Sequence, residues 1–153
     1  MLEIHSNDIW VTTNSSSNQP AFQKTTKKSK RTAAVKPTVL VVDDERTIAD
    51  TTAEILNRFG FQAIRAYDGQ QALKIAAKLQ PDYLLTDVLM PGMNGVELAI
   101  AVTRILPSTK TLIFSGQAGV SDLLQQAEEQ GYVFNLVAKP IHPEKLIDFL
   151  RGM

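Results

Sequence analysis

The chain has 153 residues, with 16 Lys and Arg side chains, 16 Asp and Glu side chains and a formal net charge of zero. This length corresponds to about one domain, and the content of 44% hydrophobic and 21% charged residues is that of an ordinary globular protein. The absence of Cys excludes disulfides, thiolate metal sites and a Cys nucleophile, and two widely separated His residues make a His-rich metal site unexpected. Any chemistry must therefore use carboxylates, hydroxyls and lysines.

The first 36 residues differ in composition from the rest of the chain. They carry six basic and two acidic residues, a net charge of +4, whereas residues 37–153 carry ten basic and fourteen acidic residues, a net charge of −4. Residues 1–36 are rich in Ser, Thr, Asn and Lys and show little apolar periodicity, so we predict a disordered basic tail. The tail is either a solvated arm or an arm that contacts an anionic partner. We find no targeting signal and no apolar stretch of roughly 18–20 residues, so we expect a cytoplasmic protein without membrane contact.

From Pro37 onward, short apolar runs alternate with segments whose apolar residues recur at helical spacing. The β-branched run at residues 38–42 is typical of a strand that is buried on both faces of a parallel sheet. In chain order we predict a strand at 38–42, a helix around 48–59, a strand at 61–67, a helix around 72–79, a strand at 83–87, a helix at 96–106, a strand at 109–114, a helix around 120–127, a strand at 133–138 and a helix around 146–150.

Strict alternation of strands and helices indicates parallel strands joined by right-handed crossovers, with helices on both faces of the sheet. We therefore predict the α/β class, as a flavodoxin-like doubly wound five-stranded parallel sheet of order 2-1-3-4-5 with five helices. Residues 37–153 leave no room for a second folded domain.

The residues that end the predicted strands carry the polar groups. Asp43 and Asp44 follow the first strand, Asp87 ends the third, Ser115 follows the fourth and Lys139 follows the fifth. Open α/β sheets bind ligands beyond the carboxyl ends of their strands, at the point where the strand order reverses. In the order 2-1-3-4-5 this point lies between strands one and three, so we expect the three carboxylates to meet there.

Three neighbouring carboxylates repel one another, and a hard divalent cation would compensate their charge. Oxygen ligands without imidazole or thiolate suit Mg²⁺, with Mn²⁺ as a possibility. A carboxylate beside such an ion can attack phosphorus and form an aspartyl phosphate, with Lys139 neutralising phosphoryl charge and Ser115 donating a hydrogen bond. Each residue alone has a simpler interpretation, as a helix cap, a loop serine or a solvated lysine, so the prediction depends on their combination.

Four segments together resemble the receiver domain of two-component response regulators, over about residues 37–153. They are Val41-Val42-Asp43-Asp44-Glu45, Asp87-Val88-Leu89-Met90-Pro91-Gly92-Met93-Asn94-Gly95, Ser115-Gly116 and Lys139-Pro140.

The resemblance implies a role for each site residue. Asp87 would be the phosphoacceptor. Asp44 would coordinate Mg²⁺ directly, Asp43 largely through water, and the backbone carbonyl of Leu89 would be a further ligand. Lys139 would pair with the acyl phosphate, next to a cis Lys139-Pro140 bond, and Ser115 would be the switch hydroxyl.

Three positions depart from the family pattern or vary within it. The family usually has Tyr or Phe three residues before the lysine, where this chain has Leu136, and alternation along the predicted strand would place Phe134 on the same face. We therefore expect the aromatic coupling to the output to be absent or altered. Leu89 and Gln117 occupy the variable positions beside the phosphoryl group. Because the Leu89 side chain offers no hydrogen bond to water, we hypothesise slow self-dephosphorylation.

We therefore expect a stand-alone receiver that catalyses its own aspartyl phosphorylation and dephosphorylation without being a conventional enzyme. Its donor would be a sensor histidine kinase or a histidine phosphotransfer protein, and its output would be contact with a downstream protein rather than direct nucleic-acid binding. Three alternatives remain: a phosphorylation-independent pseudo-receiver scaffold, a nucleic-acid-binding regulator that uses the basic tail, and a phosphatase of the haloacid-dehalogenase type. The last requires an acid two residues after the nucleophile, where this chain has Leu89.

Overall fold

The structure, a computed structural model, describes residues 34–153, of which residues 36–153 form one compact unit. In chain order its elements are β1 (Thr38–Val42), α1 (Arg46–Arg58), β2 (Gln62–Ala66), α2 (Gly69–Leu79), β3 (Tyr83–Asp87), α3 (Gly95–Ile105), β4 (Lys110–Ser115), α4 (Ser121–Glu129), β5 (Asn135–Ala138) and α5 (Pro143–Gly152). Apart from its last three residues, the predicted tail lies outside the described residues. Among the helices of residues 34–153, none is long and apolar enough to cross a membrane.

All five strands are parallel and lie in the order β2-β1-β3-β4-β5. The predicted fold class, strand order and number of helices are confirmed. The strands are parallel because each is joined to the next through a helix that crosses over one face of the sheet.

The two faces of the sheet bury separate apolar clusters, as alternation along a strand requires. On β1, Leu40 and Val42 face the cluster with α2, α3 and α4, whereas Val39 and Val41 face the cluster with α1 and α5. These four side chains are almost completely buried, and each contributes about 1.5–3 kcal/mol relative to an exposed side chain. The uninterrupted apolar run of β1 therefore results from burial on both sides, and it anchors the carboxyl end of the strand.

β2 and β4 each differ from the prediction by one residue at both ends. Phe61 and Tyr67 lie outside β2, because the Phe61 N–H donates to the last turn of α1 and the Tyr67 N–H donates to Gln71 Oε1. Thr109 closes a turn back to Leu106, so β4 is shifted by one residue and includes Ser115. The N–H groups of Phe61, Tyr67 and Thr109 donate to partners outside the sheet, so they do not take part in the hydrogen bonds between strands.

The predicted strand over 133–138 is wrong at its start, since β5 begins at Asn135. The Tyr132 N–H donates to Ala127 O at the end of α4, and the Tyr132 ring stacks on that of Phe134 with centroids 6.2 Å apart. Phe134 therefore packs with the α3–α4 side of the core before the ladder starts. Because Phe134 lies outside β5, the expectation that it shares the face of Leu136 stays a prediction.

Candidate functional site

The polar residues that were singled out from the sequence lie along one edge of the sheet. Asp43 and Asp44 follow β1, Asp87 is the last residue of β3, Ser115 is the last residue of β4, and Lys139 follows β5. β1 pairs with β2 on one side and with β3 on the other. The crevice beyond β1 and β3 is therefore the switch point at which open α/β sheets bind ligands.

The three carboxylates form a compact cluster at this crevice. One carboxylate oxygen from each of Asp43, Asp44 and Asp87 lies within 4.8 Å of the others. Asp43 is buried, Asp87 is half-buried and Asp44 is exposed, so the cluster is anchored in the fold and open to solvent. Mg²⁺–oxygen bonds are about 2.1 Å long, so ligands on opposite sides of one ion lie about 4.2 Å apart. The residues present fit Mg²⁺ or Mn²⁺ in both donor type and spacing.

Leu89 lies two residues after Asp87 in the chain, and both its side chain and its backbone carbonyl are relevant to the site. Its side chain is 46% exposed, although it is apolar, and within residues 34–153 no group donates a hydrogen bond to its carbonyl oxygen. The carbonyl oxygen can therefore coordinate a cation without losing a hydrogen bond.

Lys139 supplies the positive charge of the site. Its ammonium nitrogen lies 2.8 Å from Asp43 Oδ2 and 3.5 Å from Asp87 Oδ1. The peptide bond between Lys139 and Pro140 is cis, as the resemblance implies. The side chains of Lys139 and Asp43 are largely buried, and a charge-assisted bond of this length is among the stronger hydrogen bonds in proteins.

Burial and charge shift the pKa values of the two central groups. Burial raises the pKa of the Asp87 carboxyl, the Lys139 charge lowers it, and the Asp43 charge raises it. The net result is a pKa above the ordinary value of an Asp carboxyl. Burial alone would lower the pKa of Lys139, but the hydrogen bond from its ammonium to Asp43 and the charge of Asp87 raise it overall. One lysine thus compensates part of the carboxylate charge and leaves room for a further cation.

The backbone around Asp87 is fixed by three neighbours. Val88 N–H donates to Asp87 Oδ1 at 2.9 Å, and Thr86 Oγ1 donates to the Asp87 carbonyl at 2.9 Å. Gly95 packs directly on the same carbonyl, since a Cβ placed there would lie 1.9 Å from Asp87 O. Neither role was predicted from the sequence: Gly95 appeared only within a motif, and Thr86 was missed, although a lone polar residue within an apolar strand is a usable signal.

The Ser115 hydroxyl is hydrogen-bonded within the loop after β4. The Ser115 hydroxyl donates to Gln117 O at 3.1 Å and accepts from Gln117 N at 3.3 Å. Within the described residues the hydroxyl has no hydrogen bond to Asp87 or Lys139. The structure therefore brings four of the five singled-out polar residues into contact or near-contact, and leaves Ser115 bonded to its own loop.

The capped start of α3 also positions this edge of the sheet. Asn94 Oδ1 accepts from Glu97 N–H at 2.9 Å while Glu97 Oε2 accepts from Asn94 N–H at 2.9 Å. Such a reciprocal cap satisfies two backbone donors at a helix start. It fixes the entry to α3 immediately after the loop that carries Leu89, so the loop is tied at both ends.

Residues 39–151 match the sequence model of the response regulator receiver domain. The chain is 32% identical over 113 residues to sporulation initiation phosphotransferase F of Bacillus subtilis, covering 74% of this chain and 90% of that protein. It is 36% identical over 109 residues to a response regulator receiver protein of Anaeromyxobacter, covering 71% of this chain and 45% of that protein. It also matches the DNA-binding response regulator MtrA of Mycolicibacterium smegmatis at 30% identity. The chain spans about half the length of these last two relatives.

Solved structures agree with the sequence matches. The chemotaxis protein CheY4 of Vibrio cholerae is similar at a TM-score of 0.68 and 28% identity, covering 76% of this chain and 98% of that one. A response regulator receiver domain of Clostridium thermocellum is similar at a TM-score of 0.69 and 25% identity, covering 76% and 92% of the two chains.

Proposed function

Since the chain belongs to the response regulator receiver family of two-component signalling, we propose that Asp87 accepts a phosphoryl group from a phosphohistidine donor. The donor is a sensor histidine kinase or a histidine phosphotransfer protein, and the phosphorylated form switches a surface that contacts a downstream protein. One observation carries the proposal: three carboxylates and one lysine converge at the switch point of the sheet.

In the proposed transfer, a carboxylate oxygen of Asp87 attacks phosphorus. The P–N bond to the donor imidazole breaks, and its electron pair stays on the imidazole nitrogen. The product is an aspartyl phosphate. Asp43, Asp44, Asp87 and the Leu89 carbonyl would hold Mg²⁺ or Mn²⁺, which offsets the negative charge of the phosphoryl oxygens. The hydrogen bond from Val88 N–H to Asp87 Oδ1 supports this role, because it holds the carboxylate in one orientation.

Lys139 acts in this proposal by changing partners. It now bonds to Asp43 at 2.8 Å and lies 3.5 Å from Asp87. A phosphoryl group on Asp87 adds acceptor oxygens close to the ammonium, while a cation would take over the charge compensation of Asp43. The lysine can therefore move to the phosphoryl group with a small side-chain rotation.

Ser115 is the proposed link to the output surface. Its present bonds to Gln117 are 3.1 and 3.3 Å long and belong to an exposed loop, so exchanging them for a phosphoryl oxygen costs little. The exchange would draw the loop inward and shift the population between two arrangements of α4, β5 and α5. Leu136, 44% exposed in β5, stands on this surface where the family usually has an aromatic residue.

The donor protein also has a surface to contact next to Asp87. An apolar cavity of about 440 Å³ lies between α1 and the loop that precedes α5, and its walls include Ile48, Pro140 and Ile141. Asp43 and Lys139 line the same cavity, so it is continuous with the carboxylate site. A protein that presents a phosphohistidine to Asp87 must cover this cavity, and we propose that its apolar side chains fill it.

The proposed loss of the phosphoryl group requires a water molecule that attacks phosphorus and returns the Asp87 carboxylate and inorganic phosphate. The exposed Leu89 side chain offers this water no hydrogen bond. This supports a long-lived phosphorylated state.

Incubation of the full chain with acetyl phosphate and Mg²⁺, followed by intact mass measurement, tests the proposal. We expect an adduct of one phosphoryl group that is lost in Asp87→Asn and kept in Asp148→Asn, which changes an exposed carboxylate on α5. Absence of an adduct from acetyl phosphate and from phosphorylated histidine kinases would contradict the proposal and favour a phosphorylation-independent scaffold.

A further inference from the structure

Arg46 is an exposed arginine that begins α1, two residues after Asp44. The other arginines of residues 34–153 each have an ion-pair or hydrogen-bond partner: Arg58 with Glu54, Arg65 with Asp50, Arg104 with Tyr132 and Arg151 with the Phe59 carbonyl. Within those same residues, no carboxylate or carbonyl pairs with the Arg46 guanidinium, whose contact is with the ring of Tyr67. Its N–H donors are therefore open to a partner from outside the described chain.

The Tyr67 ring holds the Arg46 guanidinium in place. The guanidinium carbon lies 4.2 Å from the ring centroid, a distance at which a cation is attracted to an aromatic face. The ring is itself held, because the Tyr67 hydroxyl donates to Asp50 Oδ1 at 2.7 Å and the Tyr67 N–H donates to Gln71 Oε1 at 2.9 Å. Stacking uses the face of the guanidinium and leaves its in-plane N–H groups free, so Arg46 is oriented without being neutralised.

The register of the sheet puts Tyr67 level with the proposed phosphoacceptor. Val42 of β1 pairs with Ala66 on one side and with Thr86 on the other. Tyr67 and Asp87 are the residues that follow this pair in the chain, so they lie at the same height along the sheet. β2 and β3 are two strand spacings apart, which is about 10 Å. The stacked guanidinium therefore lies beside the carboxylates, on the order of 10 Å from Asp87.

Arg46 and Lys139 flank the carboxylates from opposite sides of the sheet order. Lys139 follows β5 and is already engaged with Asp43 and Asp87, whereas Arg46 lies on the side of β2. Three carboxylates and one lysine leave the metal-free site with a net negative charge, which repels an incoming phosphoryl dianion. A fixed positive charge with free donors at the rim reduces this repulsion and raises the local concentration of an anionic substrate.

We propose that Arg46 selects dianionic phosphodonors, the class of small acyl phosphates, by attracting them to Asp87, and that Tyr67 positions it. This inference rests on the proposed phosphorylation of Asp87. In the transfer a carboxylate oxygen of Asp87 attacks phosphorus, the bond from phosphorus to the bridging oxygen breaks, and the acyl carboxylate leaves with the electron pair. Arg46 acts on the approach of the donor and takes no part in this exchange of bonds, so it determines specificity.

Labelling rates of the full chain in Mg²⁺ test the proposal, with acetyl phosphate as a dianionic donor and phosphoramidate as a monoanionic donor at neutral pH. Intact mass gives the initial rates. At low ionic strength we expect Arg46→Gln to lower the rate about fourfold with acetyl phosphate and about twofold with phosphoramidate, from Coulomb's law at about 10 Å in water. In about 1 M salt, where the screening length is about 3 Å, both losses should disappear.

Arg58→Gln is the matched control, because it removes the same charge from the far end of α1, about 18 Å further along the helix. It should change the acetyl phosphate rate by less than about twofold. Tyr67→Phe keeps the ring and removes only the hydroxyl, so it should keep the preference for acetyl phosphate. Tyr67→Leu releases the guanidinium and should lower that preference.

The proposal is overturned if Arg46→Gln changes neither rate, lowers both rates by the same factor or keeps its effect in high salt. An equal loss in Arg58→Gln would overturn it as well, because the effect would then come from net charge alone. In all of these outcomes the parent chain is still labelled, so the proposed role of Asp87 stands. Absence of labelling of the parent by either donor would overturn both proposals.

Discussion

The Lys139 ammonium forms its shortest contact with Asp43, at 2.8 Å, rather than with Asp87, at 3.5 Å. The two partners are 96 residues apart in the chain, and their ion pair ties the end of β1 to the end of β5 across the crevice. The lysine therefore neutralises the same buried carboxylate that a metal ion would use. From this competition we derive the first prediction.

Replacing Lys139 by Met should strengthen Mg²⁺ binding, because Asp43 then has no competing cation. We expect a gain of about tenfold, or about 1.4 kcal/mol, in calorimetric titration, together with a strong loss of phosphoryl transfer from acetyl phosphate. Lys145→Met, which removes an exposed lysine on α5, is the control and should change neither quantity. Equal or weaker Mg²⁺ binding in the Lys139 variant would contradict the competition.

Neutralising Asp87 should stabilise the metal-free fold. The Asp87 carboxylate is half-buried beside Asp43, and both burial and that neighbouring charge oppose its ionisation. Asp87→Asn keeps an oxygen that can accept from Val88 N–H, so we expect the free energy of unfolding to rise by about 1 kcal/mol in EDTA. Thermal unfolding with and without Mg²⁺ measures this. Mg²⁺ should stabilise the parent more than the variant, and a variant of lower stability in EDTA would refute the argument.

Gly95→Ala should destabilise the fold and displace the phosphoacceptor. The added Cβ would lie 1.9 Å from the Asp87 carbonyl oxygen, so the backbone of β3 or α3 must move, at a cost of about 3 kcal/mol or more. Denaturant unfolding gives the stability, and acetyl phosphate labelling gives the effect on Asp87. Gly152→Ala is the matched control, since a Cβ there meets nothing within 4 Å. Similar losses in both variants would exclude the contact as the cause.

Leu89→Asn should shorten the lifetime of the phosphorylated state. An amide at this exposed position can hydrogen-bond the attacking water, and one net hydrogen bond of about 1 kcal/mol corresponds to about a fivefold faster rate. Phosphate release after removal of the donor measures the lifetime. Leu79→Asn changes an apolar side chain of similar exposure on α2 and should have no effect. An unchanged lifetime in Leu89→Asn would disprove the proposed role of Leu89.

The sheet and its polar edge could be predicted from the sequence because burial on both faces leaves a simple apolar signal. Each inner strand shows this signal, and the residues that follow it mark the carboxyl edge at Asp43 and Asp87. β5 is an edge strand with mostly exposed residues, so the pattern that defines β1 is missing there. The apolar residues Val133 and Phe134 then extended the predicted strand beyond its true start.

Other features depend on contacts between segments that are distant in the chain, and no local pattern encodes them. The preference of Lys139 for Asp43 over Asp87 is such a feature, as is the packing of Gly95 on the Asp87 carbonyl. Residue type and spacing could indicate a phosphoryl site, but they could not show which carboxylate Lys139 binds more closely.

The most direct test of the central claim, that Asp87 is the phosphoacceptor, is to locate the modified residue itself. The chain is phosphorylated with acetyl phosphate in Mg²⁺ or in EDTA, reduced with borohydride to convert the aspartyl phosphate to homoserine, and mapped by peptide mass spectrometry. We predict homoserine at position 87 in Mg²⁺ and almost none in EDTA. Homoserine at Asp43, Asp44 or another position, or equal labelling in EDTA, would contradict the account.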